Sequence, residues 1–396
     1  MADEVTRRDV IAFRLASHHL GERLPEGGLL EAAHGCGVQN SPPGSALLAL
    51  RARVRGITQA QLATALDADK TLLQTWSLRG APFAFPTADA SVFTAGVMPP
   101  TEAGQRHLIR GVEPALDAVG MSLREAVDRC GAGIGDVLSG RRLAIDELGL
   151  QLAARIARRL PDEQRRRWES PGPYAAGQPW GEAIVHFCLR ILTLRGVVCF
   201  APRAGNKAPF VLVEEWLGHP IADADSVAAR TELLRRYLHC YGPSTRAHFA
   251  AWLGVNVGDV GPWWDPIADE LTPVVFRGKV WVHTDDLDVL RSRPTPRGVR
   301  LLPPRDPYTQ LRDRDTIVDR HNHGEVWKTA GDPGTLLIDG EIAGVWRPRK
   351  TGAKVTVGVR AFDALPDRTQ ALVRDEAEQL ALLRGAKSAV VDFAVV

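Results

Sequence analysis

RGVVCFAPRAGNKAPFVLVE, residues 195–214, places two short apolar, β-branched runs on either side of a basic loop containing glycine and asparagine. Runs of this kind, bounded by Gly, Pro and Asn, read as the strands of a hairpin over Val197–Phe200 and Phe210–Glu214. A strongly apolar helical run, Trp180–Leu194, leads directly into it. A helix feeding a hairpin with a basic loop is the outline of a winged helix, whose wing touches phosphate, here through Arg203 and Lys207. The same residues also suit an exposed hairpin with solvated cations, and the sequence leaves both readings open.

The outline repeats downstream. Val227–Cys240 predicts a helix, Gly242-Pro243-Ser244 a turn with Ser244 as cap, Thr245–Leu253 a second helix and Pro262–Leu271 a third. Thr272–Phe276 and Lys279–His283 then form a hairpin across Arg277-Gly278. Upstream, Ile57–Asp67 with Thr58 as N-cap and a second helix over Thr71–Leu78 resemble a helix-turn-helix core. Helices are further predicted over Ala103–Asp117, Leu123–Cys130 and Asp146–Leu160. From residue 291 onward Leu336–Asp339, Ile342–Pro348 and Lys354–Val359 alternate as strands, with Asp339-Gly340 and Thr351-Gly352 as turns, and Asp367–Arg384 closes as a helix. The expected fold class is therefore α+β, with tandem winged-helix domains followed by a small β-rich, barrel-like C-terminal domain. The expected boundaries are 1–100, holding a glutamine-centred turn; 101–220, with a helical insertion; 221–290; and 291–396.

Totals set the outer limits. The 396 residues exclude a single small module, and 45% hydrophobic with 24% charged residues places the chain among folded proteins. Lys plus Arg number 49 against 47 Asp plus Glu, a net charge of +2, so any nucleic-acid footprint must lie in a local face. Such a face is offered by Arg291, Arg293, Arg297, Arg300, Arg305, Arg312 and Arg314 against Asp306 and Asp313, followed by Arg347, Arg349, Lys350 and Lys354. Five scattered cysteines without a C-x-x-C spacing predict buried reduced thiols. No run reaches a membrane span and the start MADEVTRRD lacks an apolar core, so a cytoplasmic protein is expected.

Most chemical motifs fail. Gly131–Gly135 lacks the G-x-G-x-x-G spacing and a preceding strand, Gly205-Asn206-Lys207 lacks the upstream glycine of a P-loop, and G-x-S-x-G is absent. His321-Asn322-His323 are adjacent loop residues rather than converging ligands, so no metal and no cofactor is expected. What stands out is Gly35-Cys36-Gly37-Val38-Gln39-Asn40-Ser41-Pro42-Pro43-Gly44, a stiff turn that could hold an amide, or equally a turn that caps the helix after Pro43.

That turn, the helix through Arg51 and Arg53, and Leu73-Gln74-Thr75-Trp76-Ser77-Leu78-Arg79-Gly80 with Phe83-Ala84-Phe85-Pro86 resemble the winged-helix DNA glycosylases, the AlkZ and YcaQ relatives. Arg236-Tyr237-Leu238, Tyr241-Gly242-Pro243, Trp252-Leu253-Gly254, Leu301-Leu302-Pro303, Asp306-Pro307-Tyr308 and Gly344-Val345-Trp346 extend the resemblance in the family's order over nearly the whole chain. The resemblance implies a monofunctional DNA glycosylase that hydrolyses the N-glycosidic bond of N7- or N3-alkylated purines, bulky or crosslinked, in duplex DNA. The partner is then duplex DNA, with no nucleotide cofactor, and a monomer is expected. The family's catalytic pattern is glutamine, a hydrophobic residue, then glutamine or aspartate. Gln39 matches its first position, whereas Asn40 and Ser41 depart from the second and third. Gln39 would position water, and Ser41, which has a hydroxyl but no charge, would assist. The expected DNA contacts are Asn40, Arg53, Trp76, Arg79, Arg203, Lys207, Arg277, Lys279, Arg305 and Arg347. Trp76 also reads as core, Arg79 as a helix-end cation and Asp306 as a salt-bridge partner. The competing reading is a non-catalytic winged-helix DNA-binding or regulatory protein.

Overall fold

Nine consecutive residues, Ser45–Arg53, form a helix with no exposed face. A helix buried on every side must be apolar or must neutralise what is not. Here Arg51 and Arg53 are the exceptions, and the fold brings a carboxylate to each. The computed structural model describes residues 3–203, 205, 207–221, 225–292 and 296–396. Ala204 and Asn206 of the expected wing loop, and Arg293 of the arginine run, lie outside the described residues.

Packing groups the chain into two units, one of residues 1–62, 235–252 and 267–396, the other of 63–234 and 253–266. In the first, a five-stranded sheet runs in the order Ser388–Val395, Lys354–Ala361, Glu341–Thr351, Gly334–Ile338, Val299–Leu302. Its last strand lies parallel to Lys354–Ala361, and helix Asp367–Leu383 makes the crossover that a parallel pair requires. Val373, Ala377 and Leu380 of that helix meet Val355, Val357 and Val359 of the sheet, and Leu48 of the buried helix joins the same core. The sheet is linear in its pairing order, so the expected barrel-like closure is not formed by these strands. A second sheet pairs Asp3–Glu4 in parallel with Leu271–Val275, which pairs in turn with Lys279–His283. Val10 and Phe13 of helix Arg7–Ser17 cover it.

The second unit is mainly helical. Helices Leu123–Leu138, Ile145–Ala157 and Trp180–Leu194 share one core with Val198, Phe200 and Phe210 of the hairpin Val198–Phe200/Phe210–Leu212. The helix expected over Thr71–Leu78 is instead strand Leu72–Trp76, paired with Pro82–Pro86. Leu72 through Thr75 are all buried, so the run carried no periodicity to separate strand from helix. Four further expectations change. The helix expected over Ala103–Asp117 divides into Glu102–Leu108 and Glu113–Val119 around Gly111 at φ 94°. The helix expected to stop at Cys130 continues through its glycines to Leu138, and at Gly133, where a Cβ would stand 3.0 Å from Leu152 Cδ1, the glycine admits the close approach of the next helix. The cap of Arg246–Leu253 is Thr245, whose Oγ1 accepts from His248 N at 3.1 Å, while Ser244 bonds the Tyr237 hydroxyl at 2.7 Å. The region expected as helix Pro262–Leu271 is a short helix, Gly261–Trp264, then a 3-10 turn, Asp265–Glu270, with Leu271 opening a strand. Thr58 does cap Gln59–Asp67, and Gln61 returns the bond to Thr58 N at 2.8 Å.

Arg53 is 1% exposed and meets Asp306, also 1% exposed, through two bonds of 2.8 and 2.7 Å. Removing one partner of a buried pair strands the other charge, at a cost of about 3–5 kcal/mol. Asp306→Asn is therefore expected to lower urea-unfolding stability by about that amount, while Arg53→Met with Asp306→Leu recovers most of it. An Asp306→Asn loss below about 1 kcal/mol, the range of an exposed pair, would contradict this.

Candidate functional site

The glutamine turn is built between two helices. Leu29–His34 ends at Gly35, Gly37 adopts φ 64°, Val38–Gln39 is extended, and Gly44 at φ 89° opens the buried helix. Asn40 Oδ1 accepts from Gly44 N at 2.8 Å and Ala46 N at 3.4 Å. It thus satisfies amides that an uncapped first turn would leave bare. The capping reading of this turn is correct for Asn40. Val38 is fully buried and Gln39 is 3% exposed, whereas Asn40 and Ser41 are half-buried.

Helix Ser226–Tyr241 backs the turn in its C-terminal half. Arg236 donates to the His34 carbonyl at 2.9 Å, and a Cβ at Gly35 would stand 2.9 Å from Cys240 Sγ, so only glycine admits this approach. Burial pushes the Cys36 thiol well above its ordinary range, so it remains protonated and is no nucleophile. All five cysteines are free and buried.

Behind the turn, three buried groups tie together segments far apart in sequence. Arg14, with no exposed surface, donates to Gly242 O at 3.0 Å, Pro243 O at 3.0 Å and Asp313 at 2.8 Å. Tyr241 donates to Pro307 O at 2.7 Å. His18 packs edge-on against Tyr241 and Tyr308, with ring centroids 5.0 and 5.7 Å away. Burial, then the nearby Arg53, holds the His18 pKa well below 6.5, so its imidazole is neutral at pH 7. Among the described residues its Nε2 and the Tyr308 hydroxyl have no hydrogen-bond partner. Sequence reading missed Arg14 and His18, which sit on an ordinary helical run and carry no motif.

The expected DNA contacts divide by exposure. Arg53 is corrected to a core cation, because both arms of its guanidinium are engaged by Asp306 inside the fold. Asp306 is accordingly a salt-bridge partner. Trp76 is packed edge-on against Phe200 at 5.4 Å and Phe210 at 5.1 Å, with Arg190 over its ring, which makes it core first. Arg79, half-buried at φ 56°, lies over Phe83 and against Gly254, where a Cβ would stand 2.9 Å from its Cγ. Arg203 and Lys207 are exposed beside the hairpin strands of the second unit. Arg277 and Lys279 share the exposed tip of the hairpin in the first, over Phe276 and Trp281. Arg305 and Arg347, also exposed, converge on one turn, at Asp332 (3.3 Å) and the Gly331 carbonyl (2.5 Å). Among the described residues no three His, Cys, Asp or Glu side chains converge as a metal site, and no helix is long and apolar enough to cross a membrane.

The family model for AlkZ-like DNA glycosylases matches residues 32–383. The chain belongs to the AlkZ-like DNA glycosylase family. An interstrand DNA cross-link repair glycosylase from Streptomyces sahachiroi is 27% identical over 356 residues, covering 86% of this chain and 87% of that protein. The solved structure of the Streptomyces sahachiroi DNA glycosylase AlkZ superposes with a TM-score of 0.77 at 25% identity, over 99% of this chain and 100% of that one. Membership of the AlkZ-like family decides for a DNA glycosylase over a non-catalytic regulator. Several of the pieces that carry the resemblance have structural roles here. Tyr237, Tyr241, Gly242, Pro243, Asp306, Pro307 and Tyr308 are the groups that tie the site's backing together, and Trp346 donates to Leu302 O at 2.8 Å in the adjoining sheet.

Because the folded His18 pKa is depressed, its contribution is intact above pH 6.5 and is lost as pH falls, when the unfolded chain takes up a proton that the fold refuses. His19, His186 and His248 are shifted the same way, so the comparison must be with a variant. Between pH 6.5 and 5 the wild type should lose more urea stability than His18→Phe, by up to about 1.4 kcal/mol per pH unit. Equal slopes would show that His18 titrates normally in the fold.

Proposed function

We propose that this AlkZ-like glycosylase hydrolyses the N-glycosidic bond of N7- or N3-alkylated purines in duplex DNA, bulky and crosslinked adducts included, with Gln39 positioning the water. The observation that carries the reading is a nearly buried glutamine on a turn held from both sides. An alkylated purine is already cationic and departs readily, so little general-acid help is required. The remaining task is to hold one water and meet an oxocarbenium-like charge with preorganised dipoles, by analogy with glycoside hydrolysis. The Gln39 amide can accept from that water and donate to it. Its burial suits a site that admits a single water and not bulk solvent. No amine nucleophile is called for, so no Schiff base forms. The named activity of the Streptomyces sahachiroi relative, interstrand cross-link repair, supports extending the substrate class to crosslinked adducts.

The catalytic pattern can be laid on this turn in two registers. With Gln39 first, Asn40 fills the hydrophobic position and Ser41 the third. With Gln39 third, Val38 fills the hydrophobic position and Gly37 the first. Burial of Val38 and the capping duty of Asn40 favour the second register. In it the partner side chain is missing at Gly37, whose φ of 64° suits glycine, and Ser41 has no part in the chemistry. The exposed Arg203, Lys207, Arg277, Lys279, Arg305 and Arg347 serve as phosphate contacts, carried on wing-like hairpins in tandem winged helices over 1–100, 101–220 and 221–290 and on the β-rich region 291–396. The protein acts as a monomer.

Incubation of a duplex carrying N7-methylguanine, followed by alkali cleavage of abasic sites, tests this. Wild type should release the base, and Gln39→Ala should be slower by about 100-fold, the scale of losing one preorganised donor. Ser41→Ala should stay within about a factor of three, as for a substitution away from the machinery. No product above the Gln39→Ala background would overturn the enzymatic assignment of Gln39, and a large Ser41→Ala loss would restore the first register.

A further inference from the structure

A cleft of about 870 Å³ opens where the end of the buried helix meets strand Val299–Leu302 and the end of helix Asp367–Leu383. Arg23, Arg51, Arg55 and Arg300 line it. A second cleft of about 620 Å³ shares Gly21, Glu22 and Arg23 as a wall and adds His19 and Arg297. Both lie within the first unit.

The arginines outnumber their carboxylates. Glu376 serves two of them, Arg23 at 2.9 Å and Arg51 at 2.7 Å. Glu22 reaches Arg55 only at 3.7 Å, with both side chains largely exposed. Arg300 is different in kind. Its Nη1 donates to the Val299 carbonyl at 2.8 Å, its buried Nε has no hydrogen-bond partner, and among the described residues no carboxylate pairs with it. Burial, then repulsion from Arg23, lowers its pKa to about 10, with Arg51 and Arg55 adding to the effect against Glu376. A largely buried cation without a counter-charge is costly to keep. Val54, Ile57, Leu382 and Leu383 give the same cleft an apolar wall. Leu382 is 66% exposed and open to a ligand. Arginine forks beside an apolar wall, in a volume of nucleotide size, match a phosphate joined to a sugar or ring.

We propose that this cleft is a phosphate-binding site anchored by Arg300, with Arg55 completing the grip and Arg23 and Arg297 carrying it into the second cleft. The ligand is the phosphate of a nucleotide or of a nucleic-acid backbone. The site rests on the glycosylase reading only for the second of these sources, and it involves neither Gln39 nor base release.

Thermal unfolding of the full chain is followed with inorganic phosphate, with deoxyguanosine monophosphate and with an undamaged duplex, each against chloride at matched ionic strength. A ligand that binds only the fold raises the Tm with its concentration. Phosphate should do so for wild type and for Gln39→Ala. Arg300→Gln and Arg55→Gln should each weaken the apparent affinity by about tenfold or more, as for loss of a charge-assisted contact. Arg368→Gln, an exposed arginine at the opposite end of helix Asp367–Leu383, should leave it intact. Without ligand, Arg300→Gln should be at least as stable as wild type, because it removes an uncompensated buried charge, and this separates a lost site from a lost fold. Competition between duplex and phosphate identifies the backbone as the source, and its absence identifies a small molecule. No effect of phosphate beyond chloride, or equal affinities in Arg300→Gln, Arg55→Gln and Arg368→Gln, would overturn the proposal. Either failure leaves base release by Gln39 standing, and a failed alkali assay leaves the cleft standing.

Discussion

A helix buried on all sides that nonetheless carries two arginines imposes the arrangement around it. Arg53 requires a carboxylate in the interior, and Asp306 supplies one while also accepting from Tyr308 N at 3.0 Å. Arg51 requires another, and Glu376 supplies it from helix Asp367–Leu383. Each pair spans more than two hundred residues of chain, so the N-terminal segment and the C-terminal region share one packed interior. Both pairs are charge-assisted and geometrically demanding, and guanidinium forks bring direction that an apolar contact would not.

The same constraint reaches the glutamine proposed to hold water through the other end of that helix. Its C-terminal end is fixed by Arg53, and its N-terminal end is capped by Asn40, one residue after Gln39. A rigid rod with both ends held leaves the glutamine little freedom, which is what a dipole-based catalyst needs. Arg14, Tyr241 and His18 complete the backing. Among the described residues His18 Nε2 and the Tyr308 hydroxyl are buried without hydrogen-bond partners, on rings whose centroids lie 5.7 Å apart, and such exceptions gather near functional sites.

Much of this was legible in sequence, but unevenly. Helix Trp180–Leu194 and the hairpin Leu271–Val275/Lys279–His283 were readable because periodicity and turn residues agree there. Strand Leu72–Trp76 was not, since a run buried on both faces shows no period, and its partner strand Pro82–Pro86 begins and ends in proline. The last strand, Ser388–Val395, and strand Val299–Leu302 went unread because the first follows a helix with little turn signal and the second lies in an arginine-rich run. The glutamine turn stood out by its stiff glycine- and proline-rich setting, while the role expected of Gln39 came from the family resemblance. Arg53 was misjudged because an arginine's charge is visible in sequence and its distant partner is not. The arginine run 291–314 looked like one basic face, yet Arg305 pairs with Asp332, whereas Arg300 lines a cleft with no carboxylate partner among the described residues. Only packing separates those cases.

On this physical picture the Arg53–Asp306 pair, acting through the buried helix, fixes the Gln39 turn. Amide hydrogen exchange across residues 36–50, in wild type and in Asp306→Asn under native conditions, measures it most directly. Exchange at Val38, Gln39 and the first turn of the helix should accelerate by about tenfold or more in the variant, reflecting easier local opening while the sheet of the same unit stays protected. Unchanged protection of the turn, with loss appearing only in the sheet or uniformly across the unit, would contradict it.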